Sequence, residues 1–93
     1  MVNKNILLIR KKLDKLDNAF LALIKIRTKL IDKVILNKKF KKDIIEKNKI
    51  KKILINISKK SKKKNIDPKI TRKIWINMIK AYIDYEFRNF KKK

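Results

Sequence analysis

The residues of this chain that could do chemistry are its cations and carboxylates, because the sequence contains no His and no Cys. Imidazole bases, thiol nucleophiles, disulfides and zinc clusters are therefore excluded. Arg27 is the most unusual of the cations, since it occupies a position where the surrounding apolar pattern calls for another Leu. A buried guanidinium needs an anionic partner. That partner is either a carboxylate of the protein, for which Asp17 and Glu86 are available, or a bound anion.

Spacing relates Arg27 to two other cations. Lys38 follows it by eleven residues, close to three helical turns, so both side chains point the same way. Arg10 lies roughly 100° from that direction and about 25 Å away along the axis, so it cannot enter the same pocket of its own chain. In an antiparallel pair of long helices, however, Arg10 of one subunit can reach the pocket of the other. Two guanidinium forks suit a dicarboxylate, because each binds one carboxylate bidentately. Alternatively, Arg10 is simply a surface residue.

The element that must position these cations is a long first helix. Its apolar seam follows steps of three and four residues and comprises Ile9, Leu13, Leu16, Phe20, Leu23, Leu30 and Val34. No Gly or Pro interrupts residues 6–38. A helix of about 33 residues is roughly 50 Å long, whereas a compact domain of this size has a radius of gyration of only about 13 Å. The seam therefore predicts a homodimer in which two long helices lie side by side.

Two further helices follow. After a loop beyond Lys38, a second helix is predicted from the apolar positions Ile50, Ile53, Leu54 and Ile57. The Lys-rich stretch 59–65 predicts a frayed helix end and a turn. Asp67 and Pro68 then supply an N-cap and a first-turn proline for a third helix. The expected fold is all-α, with a long, a short and a medium helix in one domain, residues 1–93, that forms an intertwined helical-bundle homodimer.

The charge of the chain is extreme, with 30 Lys and Arg against eight Asp and Glu and a formal net charge of +22. The cations are mostly Lys, Ile and Asn are frequent, and Gly is absent, a pattern that matches drift toward A- and T-rich codons. Most of the surplus charge is therefore interpreted as solvated surface, and nucleic acid is not the expected partner. The alternative is a non-enzymatic basic module that binds RNA or DNA phosphates through residues 41–42, 51–52 and 59–64. No segment approaches a membrane-spanning length, so a cytoplasmic protein is expected.

Several segments resemble the all-helical chorismate mutases, and together they cover nearly the whole chain. Residues 8–17 look like the family's opening Arg followed by an aliphatic-Asp pair, and residues 21–27 resemble its leucine-rich run ending in Arg. Lys38 lies at the family's spacing of eleven from that Arg. Asp67-Pro68 followed by Ile74-Trp75 resembles the start of the family's third helix. The resemblance rests on the order and spacing of these motifs taken together.

The resemblance implies an enzyme of aromatic amino-acid biosynthesis that rearranges chorismate to prephenate in a pericyclic step, with no cofactor, metal or covalent intermediate. By family analogy, Arg27 binds one substrate carboxylate and Arg10 from the partner subunit binds the other. Lys38 donates to the ether oxygen as that bond breaks, which stabilises the developing charge. The resemblance also implies a second catalytic residue, Glu86. It implies four further substrate-binding residues, namely Glu46, Lys49, Ile50 and Tyr82.

Three positions depart from the family's usual pattern. Lys49 stands where the family has an Arg, and it keeps the charge without the bidentate fork. Ile50 stands where mutases usually have a Glu that binds the substrate hydroxyl. Glu86 stands where most members have a Gln, and a carboxylate donates only when protonated, so a faster rate at acidic pH is expected. The isochorismate-pyruvate lyases, a related branch, have an aliphatic residue at the position of Ile50 and an aromatic-rich third helix, so lyase activity is the alternative.

Overall fold

The structure, a computed structural model, describes residues 3–90 and is built from helices. In chain order these are α1 (Lys4–Asn37), a short 3₁₀ turn (Lys41–Asp43), α2 (Lys47–Lys63) and α3 (Pro68–Asn89). No strand occurs within residues 3–90. The prediction of an all-α chain with a long, a short and a medium helix is confirmed.

α1 is a continuous helix of 34 residues. It begins where the side-chain oxygen of Asn3 accepts a hydrogen bond from the backbone N–H of Asn5 at 2.8 Å, which satisfies one of the free donors at the helix start. The predicted apolar seam runs along this helix, and every member of it is exposed, from 42% at Val34 to 63% at Leu23. The long helix therefore gains little of its stability from the burial of this seam within one chain.

The segment between α1 and α2 is ordered by a small set of local hydrogen bonds. The backbone N–H of Phe40 donates to the carboxylate of Asp43 at 3.3 Å, and the N–H of Asp43 donates back to the carbonyl of Phe40 at 3.0 Å. These reciprocal bonds hold the 3₁₀ turn. The next residue, Ile44, is 4% exposed and anchors the turn to the protein interior.

The end of α2 differs from the prediction of a frayed terminus, because the helix stays regular through Lys63. The N–H of Ile66 donates to the carbonyl of Ser61 at 2.9 Å, and the N–H of Asn65 donates to the carbonyl of Lys62 at 3.2 Å. This is the Schellman arrangement, which needs a left-handed residue. Asn65 supplies it with a φ of 58°. Asn tolerates this conformation better than other residues that have a Cβ, and the chain has no Gly to offer.

α3 begins as predicted, with Pro68 in its first turn and the side chain of Asp67 accepting a hydrogen bond from the N–H of Lys69 at 2.9 Å. α2 and α3 pack against each other. Near their connection the hydroxyl of Ser61 lies 2.7 Å from that of Thr71, and it also donates to the carbonyl of Ile57 at 2.6 Å. The pair joins the end of α2 to the start of α3 with its polar groups satisfied.

The chain divides into two compact units, residues 1–32 and residues 33–93. The first unit consists of most of α1. The second contains the last turns of α1, the 3₁₀ turn and the α2–α3 pair. Among residues 3–90, the buried side chains all lie in the second unit, and they are Ile35, Ile44, Ser61 and Glu86. Two of these four are polar, and one of them is a carboxylate.

Candidate active site

Glu86 is the one buried charged residue in the part of the chain that the structure describes, and it forms an ion pair with Lys38 within the second unit. The Lys38 ammonium lies 3.4 Å from Oε1 of Glu86, and the two side chains are 14% and 7% exposed. They are separated by 48 residues in sequence. Enclosed ion pairs are uncommon because both partners lose water, so the fold holds this pair at an energetic cost.

Lys38 is positioned by the residues on either side of it. It follows the last residue of α1, and its backbone N–H donates to the carbonyl of Ile35 at 3.1 Å. Its ammonium donates to the carbonyl of Ile44 at 3.4 Å as well as to Glu86. Ile35 and Ile44 are 7% and 4% exposed. Two buried isoleucines thus fix the backbone on which the ammonium depends. These two contacts use two of the three N–H donors of the ammonium.

Glu86 comes from the last part of α3, where it is the only buried residue of that helix. Tyr82 lies one helical turn earlier and is half-buried. The ring of Tyr82 meets that of Tyr85 edge to face, with 6.3 Å between the ring centres. The carboxylate is therefore carried on a helix whose neighbouring aromatic side chains restrain one another.

Two other predicted site residues, Glu46 and Lys49, lie at the start of α2. Their charged groups are 3.7 Å apart, and the side chains of Lys49 and Glu46 are 71% and 45% exposed. They line an open pocket with a volume of about 780 Å³ whose other walls are Ile45, Lys47, Asn48 and Lys52. The pocket is cationic, because three of its six residues are lysines and one is a carboxylate.

The remaining predicted residues are placed separately. Ile50, in the first turns of α2, is half-buried and offers no polar group to a ligand. Arg10 and Arg27 both lie on α1 in the first unit, where Arg10 is exposed and Arg27 is half-buried. The structure thus brings together Lys38 with Glu86 and Glu46 with Lys49, whereas the joint role of the two arginines stays a prediction.

Two groups of the candidate site were not predicted from the sequence. The carbonyl of Ile44 orients Lys38, and no sequence signal could reveal it because every residue carries a carbonyl. Lys52 lines the pocket beside Lys49. Its spacing of three from Lys49 places the two on neighbouring positions of the helix surface, which is a signal that the sequence did contain.

The chemistry available in this region is electrostatic. Across residues 3–90 there is no group of three or more His, Cys, Asp or Glu side chains that could hold a metal ion. The site offers an oriented ammonium, a buried carboxylate and a nearby cationic pocket. An oriented ammonium of this kind can donate a hydrogen bond to an oxygen on which negative charge develops, and a cationic pocket can accept an anionic group. Within the same range, no helix is both long enough and apolar enough to cross a bilayer.

The fold is therefore an all-α chain in which a Lys just after α1 and a Glu near the end of α3 form an enclosed ion pair. Comparison with family models gives a match to chorismate mutase type II over residues 9–87. Comparisons with curated proteins and with solved structures return no match. Because the family model spans most of the chain, the protein belongs to the type II chorismate mutase family.

Proposed function

We propose that this protein catalyses the rearrangement of chorismate to prephenate in the cytoplasm, as a step of aromatic amino-acid biosynthesis. Membership of the family supports this assignment. The structural observation that supports it at the level of individual residues is the enclosed ion pair of Lys38 and Glu86. The family's pattern assigns these two positions to the ether bond that breaks. A solvated Lys would provide far less stabilisation of that oxygen, because water screens its charge.

In the proposed mechanism, Lys38 donates a hydrogen bond to the ether oxygen while the carbon–oxygen bond breaks and charge builds on that oxygen. Glu86 orients the Lys38 ammonium through their ion pair, and only in its protonated form, without that ion pair, would it donate a second hydrogen bond to the same atom. Binding of the two substrate carboxylates by Arg27 and by Arg10 of the partner subunit favours the compact conformer in which the reacting carbons meet. Glu46, Lys49, Ile50 and Tyr82 complete the proposed binding site, and no cofactor takes part.

The proposed homodimer rests on the exposure of the α1 seam. Its seven apolar side chains are each at least 42% exposed, although they follow the spacing of a helix–helix contact. Monomeric proteins rarely expose a continuous apolar strip along an entire helix of this length. A second copy of the chain has the same seam and is its natural partner, because an antiparallel pair of identical helices is self-complementary.

A substrate assay tests the activity. Purified protein is incubated with chorismate, and prephenate formation is measured alongside the Arg27→Gln variant and a surface control, Lys25→Gln. We expect turnover by the wild type and the control, and a loss of at least about 100-fold in the Arg27 variant, because a bidentate charged contact is removed. Circular dichroism and sedimentation establish that the variant remains folded and assembled. Absence of turnover in the folded wild type would refute the proposal.

A subunit-mixing experiment tests the shared site directly. Arg10→Ala and Arg27→Ala proteins are each expected to be inactive, because each lacks one carboxylate contact. When the two are unfolded together and refolded, about half of the dimers contain one chain of each kind. One of their two sites then has both arginines, so about a quarter of wild-type activity should return. If Arg10 acts within its own chain, no site is restored and the mixture stays inactive.

Isochorismate-pyruvate lyase is the second candidate, and Ile50 is the observation that favours it. A half-buried aliphatic side chain at this position cannot accept a hydrogen bond from the chorismate hydroxyl. Incubation with isochorismate, with detection of salicylate and pyruvate, distinguishes the two activities. An Ile50→Glu variant should gain mutase activity relative to lyase activity, because it restores the usual acceptor.

A further inference from the structure

The side of α2 that faces solvent is rich in lysines. Each residue of a helix advances about 100°, and five exposed lysines fall within an arc of roughly 120° around α2. We call this surface the α2 lysine face, and its members are Lys51, Lys52, Lys59, Lys62 and Lys63. Ile55, which is 54% exposed, lies near the middle of the arc.

No carboxylate balances this face. The sequence has no Asp or Glu between Glu46 and Asp67. The ion pairs that the structure gives for residues 3–90 involve Lys38, Lys49 and Arg88, and no member of the face. Lysines three or four positions apart on a helix repel one another, so the face weakens α2 when nothing is bound to it. Three lysines in the last turn, Lys60, Lys62 and Lys63, partly offset this through the helix dipole.

α1 differs from α2 in both the density and the distribution of its lysines, with seven in 34 residues against eight in 17. Three of its residues, Asp14, Asp17 and Asp32, are carboxylates interspersed among the cations. Compositional drift explains a general surplus of Lys, and it is the reason that the sequence alone does not favour a nucleic-acid partner. The gathering of lysines on one side of α2, with no carboxylate among them, is the additional observation.

We propose that the α2 lysine face binds the phosphate backbone of double-stranded nucleic acid without reading its sequence. From Lys51 to Lys63 the face extends about 18 Å along the helix axis. A duplex carries one negative charge per roughly 1.7 Å, so about ten phosphates lie within that length. Lysine is a compact point charge that neutralises phosphates, and the face has no Arg to read base edges by a bidentate contact.

The composition of the face disfavours the other anionic partners. Single-stranded nucleic acid is held largely by stacking on aromatic rings, and the α2 sequence contains no aromatic residue. A membrane-surface helix inserts an apolar side into the bilayer. On this face only Ile55 is available for insertion, because the other large apolar residues of α2 are half-buried, namely Ile50, Ile53, Leu54 and Ile57.

The test compares the full-length protein with a variant of the face. Binding of a fluorescein-labelled 20-base-pair DNA duplex of mixed sequence is followed by fluorescence anisotropy between 50 and 200 mM KCl. The variant is Lys59→Gln/Lys62→Gln/Lys63→Gln, which avoids Lys52 because that residue lines the pocket beside the proposed active site. With five phosphate contacts the wild type should lose about 500-fold in affinity over this range, and with two contacts the variant should lose only about 10-fold.

A charge-matched control distinguishes binding by the α2 lysine face from attraction of DNA that depends only on the net charge of the protein. Lys11→Gln/Lys25→Gln/Lys29→Gln removes the same charge from exposed positions on the side of α1 opposite the apolar seam. This control should keep the salt dependence of the wild type, and circular dichroism establishes that all proteins remain helical. Equal losses in the two triple variants would overturn the proposal, because net charge alone would then explain binding.

Three further outcomes would also overturn it. One is the absence of duplex binding at 50 mM KCl. Another is tighter binding of the single strand of the same sequence. The third is a variant of the α2 lysine face that loses binding to vesicles of 30% phosphatidylserine but keeps binding to the duplex. Chorismate turnover should be the same in the wild type and both triple variants, so failure of this proposal is distinguishable from failure of the proposed activity.

Discussion

Replacement of Lys38 by Met should destabilise the protein far more than replacement of an exposed lysine. The ammonium lies 3.4 Å from the Glu86 carboxylate. At an effective dielectric constant of about 20, this separation corresponds to an attraction of roughly 5 kcal/mol before the cost of desolvation. Met keeps most of the aliphatic volume but leaves Glu86, which is 5% exposed, without its counter-charge. We expect the free energy of unfolding to fall by about 3 kcal/mol.

Urea denaturation at fixed protein concentration measures this loss, with Lys49→Met as the matched control. Lys49 also pairs with a carboxylate, at 3.7 Å, but its side chain is 71% exposed. The control should therefore lose no more than about 0.5 kcal/mol. Glu86→Gln removes one charge while keeping an acceptor for Lys38, so its loss should lie between the two. Equal losses for the two Met variants would refute the argument that enclosure strengthens the Lys38–Glu86 interaction.

Three other outcomes are expected. Glu86→Gln should turn over chorismate faster than the wild type at neutral pH, because an amide can donate a hydrogen bond to the ether oxygen whereas an ionised carboxylate cannot; an unchanged or slower rate would exclude a donor role at this position. Ser61→Ala should lower the free energy of unfolding by about 1–2 kcal/mol, because the hydroxyl of Thr71 loses its hydrogen bond to Ser61. Urea titrations measure the loss, with Ser58→Ala as the control. Leu23→Asp in the apolar seam should shift sedimentation at micromolar concentration from dimer to monomer, whereas the control Lys25→Asp should not. If the Leu23 variant sediments like the wild type, the subunit contact lies elsewhere.

Much of the helical architecture could be predicted because its signals are local. An uninterrupted apolar period predicts α1, and Asp67 with Pro68 predicts the start of α3 to the residue. For the end of α2 the turn was predicted correctly but the fraying was wrong, since a lysine-rich stretch has no apolar period to follow. What ends that helix is the left-handed backbone of Asn65. The period of apolar residues contains no information on the backbone hydrogen bonds that end a helix.

The candidate site was less accessible to sequence reasoning. Lys38 and Glu86 are 48 residues apart, and only the resemblance to a family placed them together. The carbonyl of Ile44 acts through the backbone and has no side-chain signature. Arg10 and Arg27 are predicted to meet across two subunits, so their arrangement depends on an assembly rather than on the fold of one chain. Local patterns predict elements, whereas sites depend on contacts between elements distant in sequence.

The left-handed Asn65 has a consequence for which substitutions the chain tolerates. Asn65 is exposed, and exposed positions usually accept many residues. Here a β-branched replacement would strain the backbone at a φ of 58° although the position is exposed. Natural variation at this site should therefore be as narrow as at a buried position, with Asn, Asp and Gly as the acceptable choices. Because the chain contains no Gly, the reversal between α2 and α3 depends on this solvent-exposed Asn.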